Sequence, residues 1–184
     1  GLGDVYKRQL LVLGVGNRRI TADALGPRTV QRILVTMGAG AAPPVRGLRP
    51  VAAVAPGVAA ATGLSLQQLA AALVGQLHPA AVVCVDSLCS AEGQRLGRTV
   101  QFSDTGLYPA QADHTRHLTR DTLGVPVVAA GIPTLMQAQE GADLVVTPRA
   151  LDSVIAHGAA LLAGSVNRAL QPRLTVQQLC WLTG

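Results

Sequence analysis

Continuous apolar runs alternate with amphipathic stretches along this chain, an order typical of an α/β domain. The apolar runs predict buried strands at residues 10–15, 50–55, 80–85 and 125–130. Residues 99–103 alternate and predict a strand nearer an edge, while residues 144–146 predict a short last strand. Strands that are apolar throughout are typical of a parallel sheet covered on both faces. We therefore predict a three-layer α/β sandwich around a largely parallel central sheet.

Apolar spacing and capping signals predict helices between these strands. The predicted segments are 24–37, 65–77, a short piece after residues 131–133 that ends near 140, 147–170, and a short C-terminal helix. Ser65 and Thr175 each open the Ser/Thr-x-x-Gln pattern of a capping box. Thr147 is the predicted cap of the longest helix, with Pro148 at its first position. Residues 104–120 predict a long polar loop.

Length and composition indicate one ordered domain. The chain has 184 residues, of which 49% are hydrophobic and 14% charged, so it is too apolar for a disordered chain and long enough to bury a core. We assign residues 10–184 to this domain and expect residues 1–9 to be a non-native or disordered leader. Three cysteines are too few for a disulfide framework, and no apolar run of about 18 residues is present. These features predict a cytoplasmic protein without membrane contact.

The basic charge balance does not by itself indicate a nucleic-acid-binding surface. There are 15 Lys and Arg against 10 Asp and Glu, a formal net charge of +5. The arginines are dispersed, and aromatic residues, which stack on bases, make up only 2% of the chain. We therefore expect a solvated basic surface and no direct contact with nucleic acid.

Two aspartates follow buried strands of the predicted sheet. Asp23 lies in the loop after the first strand, and Asp86 ends the third. Because the reactive crevice of an open α/β sheet lies beyond the carboxyl ends of its strands, both acids are expected at one edge. Facing carboxylates repel and can share one proton, so one can activate water while the other protonates a leaving group. The plainer alternatives are a helix N-cap for Asp23 and a strand end for Asp86.

Other segments carry weaker chemical signals. Gly14-Val-Gly-Asn17 is a glycine turn after a strand, but Arg19 stands where a dinucleotide-binding turn needs its third glycine. Asp104-Thr-Gly106 matches a short motif of pepsin-like proteases, whose fold is all-β, so Asp104 is expected to be a loop or rim acid. Ser87 and Cys89 lack the Gly-x-Ser-x-Gly turn of a serine or cysteine nucleophile.

A metal site is a further alternative. His114 and His117 have a spacing that can chelate a metal ion on a helix, and Asp113 is adjacent. The surrounding stretch is predicted to be a loop, so we expect neither a metal ion nor a cofactor and keep the two histidines as an alternative ligand pair.

Ten collinear segments between residues 10 and 172 carry a resemblance to a known family. They include Leu11-Val-Leu-Gly-Val-Gly-Asn17, Thr21-Ala-Asp-Ala-Leu-Gly-Pro27, Val85-Asp-Ser-Leu88 and Gly131-Ile-Pro-Thr134, with 49–57, 62–63, 99–109, 122–126, 145–149 and 167–170. In this order they resemble the germination protease family of spore-forming bacteria, endopeptidases that degrade small acid-soluble spore proteins.

The resemblance implies a fold, a catalytic pair and a substrate. The family is similar to the hydrogenase-maturation peptidases, which implies an α/β sandwich with a largely parallel sheet. Its two proposed catalytic aspartates lie in motifs that fall on Asp23 and Asp86. We also expect Asn17 and the segment Asp104, Thr105 and Gly106 to bind substrate or support the pair. The expected substrates are small spore DNA-binding proteins inside the spore or forespore, and the enzyme is expected to form a homo-oligomer.

The sequence also departs from the family pattern. The resemblance starts at residue 11, so we expect no counterpart of the family's long N-terminal region with its propeptide in these residues. Only residues 135–144 connect two motifs that the family separates by an insertion. Tyr108 replaces a histidine of the family motif, and residues 110–120 replace a glycine-rich basic loop. Two alternatives therefore stay open. One is a hydrogenase-maturation-type peptidase in which the acids and His114 or His117 bind metal; the other is a non-catalytic sporulation-associated binding protein.

Overall fold

The computed structural model describes residues 9–38, 47–108, 117–137 and 145–184. Its strands are β1 (Leu10–Gly14), β2 (Val51–Val54), β3 (Ala81–Ser90), β4 (Gln101–Ser103), β5 (Val127–Gln137) and β6 (Val145–Val146). Its α-helices are α1 (Leu25–Val30), α2 (Ala59–Thr62), α3 (Leu66–Leu77), α4 (Arg120–Leu123), α5 (Leu151–Leu170) and α6 (Val176–Thr183). Short 3₁₀ helices cover Thr21–Asp23 and Gly93–Arg95.

The strands form one mixed sheet in the order β2-β1-β3-β5-β4, with β6 paired to the end of β5. The pairs β1–β2, β1–β3 and β3–β5 are parallel, and β4 and β6 run antiparallel to β5. The predicted largely parallel sheet is therefore confirmed. The short strands predicted at 99–103 and 144–146 are the antiparallel ones.

Helices cover both faces of this sheet. On one face, α3 and α4 bury apolar side chains of β1, β3 and β5, in a cluster that includes Leu13, Ala70 and Leu123. On the other face, α1 and α5 pack through residues such as Leu25 and Ile155. The predicted three-layer arrangement is thus confirmed, and both faces of the central strands are buried, which explains their continuous apolar sequence.

The local capping signals were good predictors of helix starts. Ser65 and Thr175 each accept the main-chain N–H of the Gln three residues later, and both capping boxes are complete. The predicted start of α5 was wrong, because the helix begins at Leu151 without a side-chain cap. Pro148 instead packs beside Gly97, 3.0 Å from the position a Cβ would occupy there.

The predicted helix over residues 24–37 was too long. Helix α1 ends at Val30, and the residues after it find partners elsewhere in the fold. The N–H of Leu34 donates to the side chain of Asn167 at 2.8 Å, and that of Thr36 donates to the carbonyl of Val51 at 3.0 Å. Hydrogen bonds to α5 and β2 therefore replace the next helical turns.

Two strands extend further than predicted. β3 continues to Ser90, so Asp86 lies within the strand and does not end it. β5 continues to Gln137 through Pro133, where a short helical piece was predicted. The pairing shifts register there, since Leu88 lies opposite Pro133 and the next β3 residue lies opposite Leu135. Proline is tolerated inside a sheet at such a bulge.

No helix within the described residues is long and apolar enough to cross a membrane. The assignment of residues 10–184 to one domain stays a prediction, and most of the leader predicted at residues 1–9 lies outside the described residues.

Candidate active site

The order of the strands reverses between β1 and β3. From β1 the chain crosses to β2 on one side and then returns to β3 on the other side. The last β1–β3 pair is Gly14 with Val85. In open α/β sheets, ligands bind at such a reversal, beyond the carboxyl ends of the strands. Asp23 follows β1 and Asp86 follows Val85, so the two candidate acids come from the two sides of this point.

The turn after β1 is built around a close approach between Gly16 and Asp23. Gly16 has φ +119°, and a Cβ there would lie 2.1 Å from the main-chain oxygen of Asp23 and 2.9 Å from its Oδ1. Only glycine allows both the backbone angle and the contact. The chain can therefore fold back so that Asp23 lies over the end of β1.

The carboxylate of Asp23 is half-buried and held by the main chain. Its Oδ2 accepts the N–H of Asn17 at 2.7 Å, a charge-assisted bond that fixes the carboxylate against the turn. The side-chain oxygen of Asn17 accepts the N–H of Arg19 at 3.0 Å. The support that Asn17 gives to Asp23 in this structure thus comes from its backbone, while its side chain shapes the turn. A role for Asn17 in substrate binding stays a prediction.

A buried threonine ties the Asp23 segment to the sheet. The Thr134 hydroxyl donates to the carbonyl of Ala22 at 2.6 Å, and Thr134 is fully buried. Thr134 is the residue that the β3–β5 register skips, and a bulge re-aims the side chain of its extra residue. The segment is also fixed beyond Asp23, because a Cβ on Gly26 would lie 2.4 Å from the carbonyl oxygen of Val85. Asp23 is therefore held against β3 and β5.

Asp86 is a buried carboxylate within the sheet. It is 5% exposed, and its Oδ1 accepts the N–H of Ser87 at 2.8 Å. The residue paired with Asp86 on β5 is Gly131, where a Cβ would lie 2.5 Å from the main-chain oxygen of Asp86. Burying a carboxylate is costly, so a fold retains one where it has a use or strong partners.

Cys84 lies two residues before Asp86 and shares its face of β3. Burial, and secondarily the charge of Asp86, raises the pKa of the Cys84 thiol to about 12. The thiol is therefore neutral at physiological pH, and the thiolate is the nucleophilic form of cysteine. Cys84 is excluded as a nucleophile by this environment.

The Asp104-Thr105-Gly106 segment forms the turn after β4. The hydroxyls of Ser103 and Thr105 are 2.8 Å apart, Asp104 is exposed, and a Cβ on Gly106 (φ +111°) would lie 2.3 Å from a main-chain oxygen of Leu118. The row of the sheet that holds Asp86 and Gly131 continues to Gln101 at the start of β4. β4 lies two strand spacings, roughly 10 Å, from β3, and the turn begins after Ser103, which is roughly 7 Å along β4 from Gln101.

The structure therefore does not bring Asp104 into the row of Asp86. A role for Asp104, Thr105 and Gly106 in substrate binding or support stays a prediction.

Of the two candidate metal-ligating histidines, the structure describes His117. His114 lies outside the described residues. The ring of His117 packs edge-on against Tyr108, with 5.1 Å between ring centroids. Within the part of the chain that the structure describes, no three His, Cys, Asp or Glu side chains group as they would around a metal ion.

Gly131 and Thr134 belong to the site, and sequence reasoning did not single them out as site residues. Both lie in Gly131-Ile-Pro-Thr134, a segment that carries the family resemblance. Its proline suggested a break in the strand, which concealed the bulge.

Comparison with known proteins identifies the family. The family model described as germination protease matches residues 3–140. This chain belongs to the germination protease family. Among its relatives, the germination protease of Clostridium perfringens is 30% identical over an alignment of 224 positions, which covers 94% of this chain and 69% of that protein. The germination protease of Halalkalibacterium halodurans is 38% identical over 161 residues, which cover 85% of this chain and 42% of that protein.

The resemblance to a peptidase family is thus confirmed. The family is a family of peptidases. The chain spans less than half the length of the Halalkalibacterium relative. Among solved structures, a [NiFe] hydrogenase maturation protease HycI from Thermococcus kodakarensis is similar at 19% identity and a TM-score of 0.47, covering 91% of this chain and 98% of that one. An endopeptidase HycI from Escherichia coli is similar at 17% identity and a TM-score of 0.45, covering 85% and 90%.

Proposed function

We propose that this germination protease family member is an endopeptidase of spore germination whose catalytic pair is Asp23 and Asp86. Its substrates are small acid-soluble spore proteins, which it cleaves in the spore interior. Family membership supports the peptidase activity. The observation that carries the pair is the position of the two acids on the two sides of the strand-order reversal, where α/β sheets bind ligands.

The two carboxylates differ in surroundings, which suggests different roles. Asp23 is half-buried, so water reaches it, and the N–H of Asn17 fixes its orientation. In the proposed mechanism Asp23 removes a proton from the attacking water as general base. Asp86 is almost fully buried, and a second negative charge next to Asp23 is costly there, so the pair holds one proton between them.

The proton that the pair holds is transferred to the leaving amine in the last step of cleavage. Water adds to the carbonyl carbon of the scissile peptide bond as Asp23 takes its proton. The tetrahedral intermediate collapses when Asp86 gives a proton to the leaving amine nitrogen, and the C–N bond breaks. The products are a new carboxyl end and a new amino end, and no cofactor takes part in these steps.

The test replaces each carboxylate by its amide. Asp23→Asn and Asp86→Asn should each lower kcat for cleavage of a purified small acid-soluble spore protein by at least about 10²–10⁴. Fragments separated by mass spectrometry give the rate, and thermal melts show that both variants fold. Because an amide cannot ionise, each variant is spared the cost of a second negative charge at the pair, and stability should be unchanged or higher.

Asp152→Asn is the matched control, because Asp152 is an exposed aspartate in the first turn of α5 and belongs to no candidate site. It should keep at least half of the wild-type rate. Wild-type cleavage by either the Asp23 or the Asp86 variant would refute the pair. Cleavage that EDTA abolishes and added nickel or zinc restores would favour the metal alternative.

A further inference from the structure

A cavity of about 550 Å³ lies between α5 and α6. Residues of both helices line it, and so does Arg32, which follows α1. We call it the α5–α6 cavity. Its volume is in the range of sites that bind small molecules, roughly 300–1,000 Å³. Neither Asp23 nor Asp86 lines it, so a ligand bound there would act apart from the proposed catalytic pair.

Two arginines meet at the carboxyl-terminal end of α5. Arg168 belongs to the last turn of this helix. The buried side chain of Asn167, next to it, donates to the carbonyl of Arg32 at 2.9 Å. The main chain of Arg32 is therefore held beside that turn, and both arginines are exposed and line the α5–α6 cavity. The fold thus brings together two cationic residues that are far apart in sequence.

The charge of these two arginines is not compensated within the described residues. The segments 24–85 and 153–184, which supply every residue that lines the cavity, contain six arginines and no Asp or Glu. Among the described residues, neither Arg32 nor Arg168 forms an ion pair. The Arg168 guanidinium donates to the carbonyl of Pro172 at 3.1 Å, which uses one of its five N–H donors. The remaining donors suit the oxygens of an anion.

The rest of the cavity lining suits an aliphatic group. Leu161 lies seven residues before Arg168, two helical turns and about 10 Å away on the same side of α5. Leu161 is 57% exposed and Val176 of α6 is 66% exposed, while Leu179 is buried, and all three line the cavity. An apolar ligand that covered these side chains would remove their surface from water, which is favourable.

Gly164 leaves the space between the two ends of the cavity open. It lies between Leu161 and Arg168 on α5 and also lines the cavity. No atom of the described residues lies within 4 Å of a Cβ built on Gly164. A ligand can therefore lie along α5 from its aliphatic end to its cationic end.

We propose that the α5–α6 cavity binds a small amphipathic anion. Its charged headgroup contacts Arg32 and Arg168, and its aliphatic chain packs against Leu161, Val176 and Leu179. The headgroup is a carboxylate or a phosphate monoester, because both present oxygens that match guanidinium donors. This site goes beyond the proposed peptidase function and does not depend on it.

The first experiment tests the charge of the ligand. The wild-type protein is titrated by calorimetry with octanoate, octyl phosphate, octanol and octylammonium, each below its micellar concentration. Octanoate or octyl phosphate should bind at least about ten-fold more tightly than the uncharged and cationic compounds, which cannot form the charge-assisted hydrogen bonds. The tighter of the two anions identifies the headgroup. Equal affinities for all four compounds would overturn the proposal.

The second experiment tests the apolar part of the site through chain length. Affinity should rise about three- to four-fold for each CH₂ group added between butanoate and octanoate, because each one leaves water in the complex. An affinity that does not change with chain length would show simple anion binding to surface arginines, and an amphipathic site would then be refuted.

The third experiment locates the headgroup. Arg32→Gln and Arg168→Gln should each weaken octanoate binding at least about five-fold, since each removes a charged donor. Arg149→Gln is the matched control, because Arg149 is an exposed arginine that precedes α5 and does not line the cavity. Equal losses in all three variants would show a general effect of positive charge and would overturn the assignment, as would unchanged binding in both cavity variants.

The fourth experiment fills the cavity. Gly164→Leu should abolish octanoate binding, and the variant should fold because leucine favours a helix over glycine. Gly75→Leu is the matched control, since Gly75 is exposed on α3 and a Cβ there also has no atom of the described residues within 4 Å. Thermal melts check the folding of both variants. Octanoate binding that survives in Gly164→Leu would place the ligand elsewhere. An octanoate affinity that falls as protein concentration rises would show that a second copy of the chain covers the cavity, and that result would also overturn the proposal.

Discussion

The hydrogen bond from Thr134 to Ala22 is the contact through which β5 positions Asp23, and its removal should separate stability from activity. Thr134→Val keeps the shape of the side chain and removes the hydroxyl that donates to the Ala22 carbonyl at 2.6 Å. Because Thr134 is fully buried, water does not replace the lost donor. An unsatisfied buried carbonyl costs about 1–3 kcal/mol of unfolding free energy. For a domain of this size that is a fall in Tm of roughly 2–12 °C.

The effect on cleavage should be larger than the effect on folding. Without its tether, the 3₁₀ helix that carries Asp23 can shift relative to β3. A displacement of about 1 Å of a reacting group can cost about 10²-fold in rate. We expect kcat for spore-protein cleavage to fall about 10–100-fold at a temperature well below the Tm, with a smaller change in KM. Stopped time courses and a thermal melt of the same preparation measure both quantities.

Thr36→Val is the matched control. The buried Thr36 hydroxyl donates to the carbonyl of Arg49 at 2.5 Å and accepts the N–H of Val51 at 2.9 Å. These bonds lie at the amino end of β2, at the opposite end of the sheet from the carboxyl ends where Asp23 lies. The variant should lose at least as much stability as Thr134→Val and keep its kcat. A wild-type kcat in Thr134→Val, or equal losses of kcat in both variants, would show that the tether does not position Asp23.

Three further predictions follow from single residues. Gly16→Ala should lower both Tm and cleavage, because its Cβ would lie 2.1 Å from the main-chain oxygen of Asp23. In the control Gly38→Ala, no atom of the described residues lies within 4 Å of the added Cβ, so this change should cost only the backbone strain of its positive φ. Equal losses in the two variants would contradict this. The Cys84 thiol should resist a thiol reagent at pH 8 until the protein unfolds, while the two exposed cysteines react. The pKa of the Cys84 thiol is about 12 in the folded protein against the ordinary 9.0, so the thiol ionises first in the unfolded chain. The stability that Cys84 contributes is therefore complete below about pH 9 and is lost between about pH 9 and 12. Urea titrations at pH 8 and 10.5 should show a smaller fall of the unfolding free energy in Cys84→Ala than in the wild type. Ser87→Ala should keep kcat and hold or raise the unfolding free energy by up to about 1 kcal/mol, because the buried Ser87 hydroxyl has no hydrogen-bond partner among the described residues; a loss of kcat above ten-fold would instead give that hydroxyl a role next to Asp86.

The parts of the fold that depend on neighbouring residues could be predicted from the sequence. A continuous apolar run such as residues 80–85 reports burial on both faces of a strand, and that pattern needs no knowledge of the rest of the chain. The capping boxes at Ser65 and Thr175 are equally local, since donor and acceptor are three residues apart. The sequence also indicated that Asp23 follows β1, which the structure confirms, and that Asp86 ends β3, which was wrong because β3 continues to Ser90.

The parts that depend on distant residues were decided only by the tertiary structure. The end of α1 is fixed by hydrogen bonds to Asn167 and Val51, which lie far along the chain and leave no periodic signal near Val30. The bulge at Thr134 exists because β3 and β5 change register there, and its hydroxyl reaches a carbonyl 112 positions away in sequence. A cavity of about 200 Å³ lined by Leu88, Phe102 and Tyr108 likewise joins three strands and a turn. Periodicity records which face of an element is buried, whereas these features depend on which distant atoms pack against that face, and only the folded chain brings those atoms together.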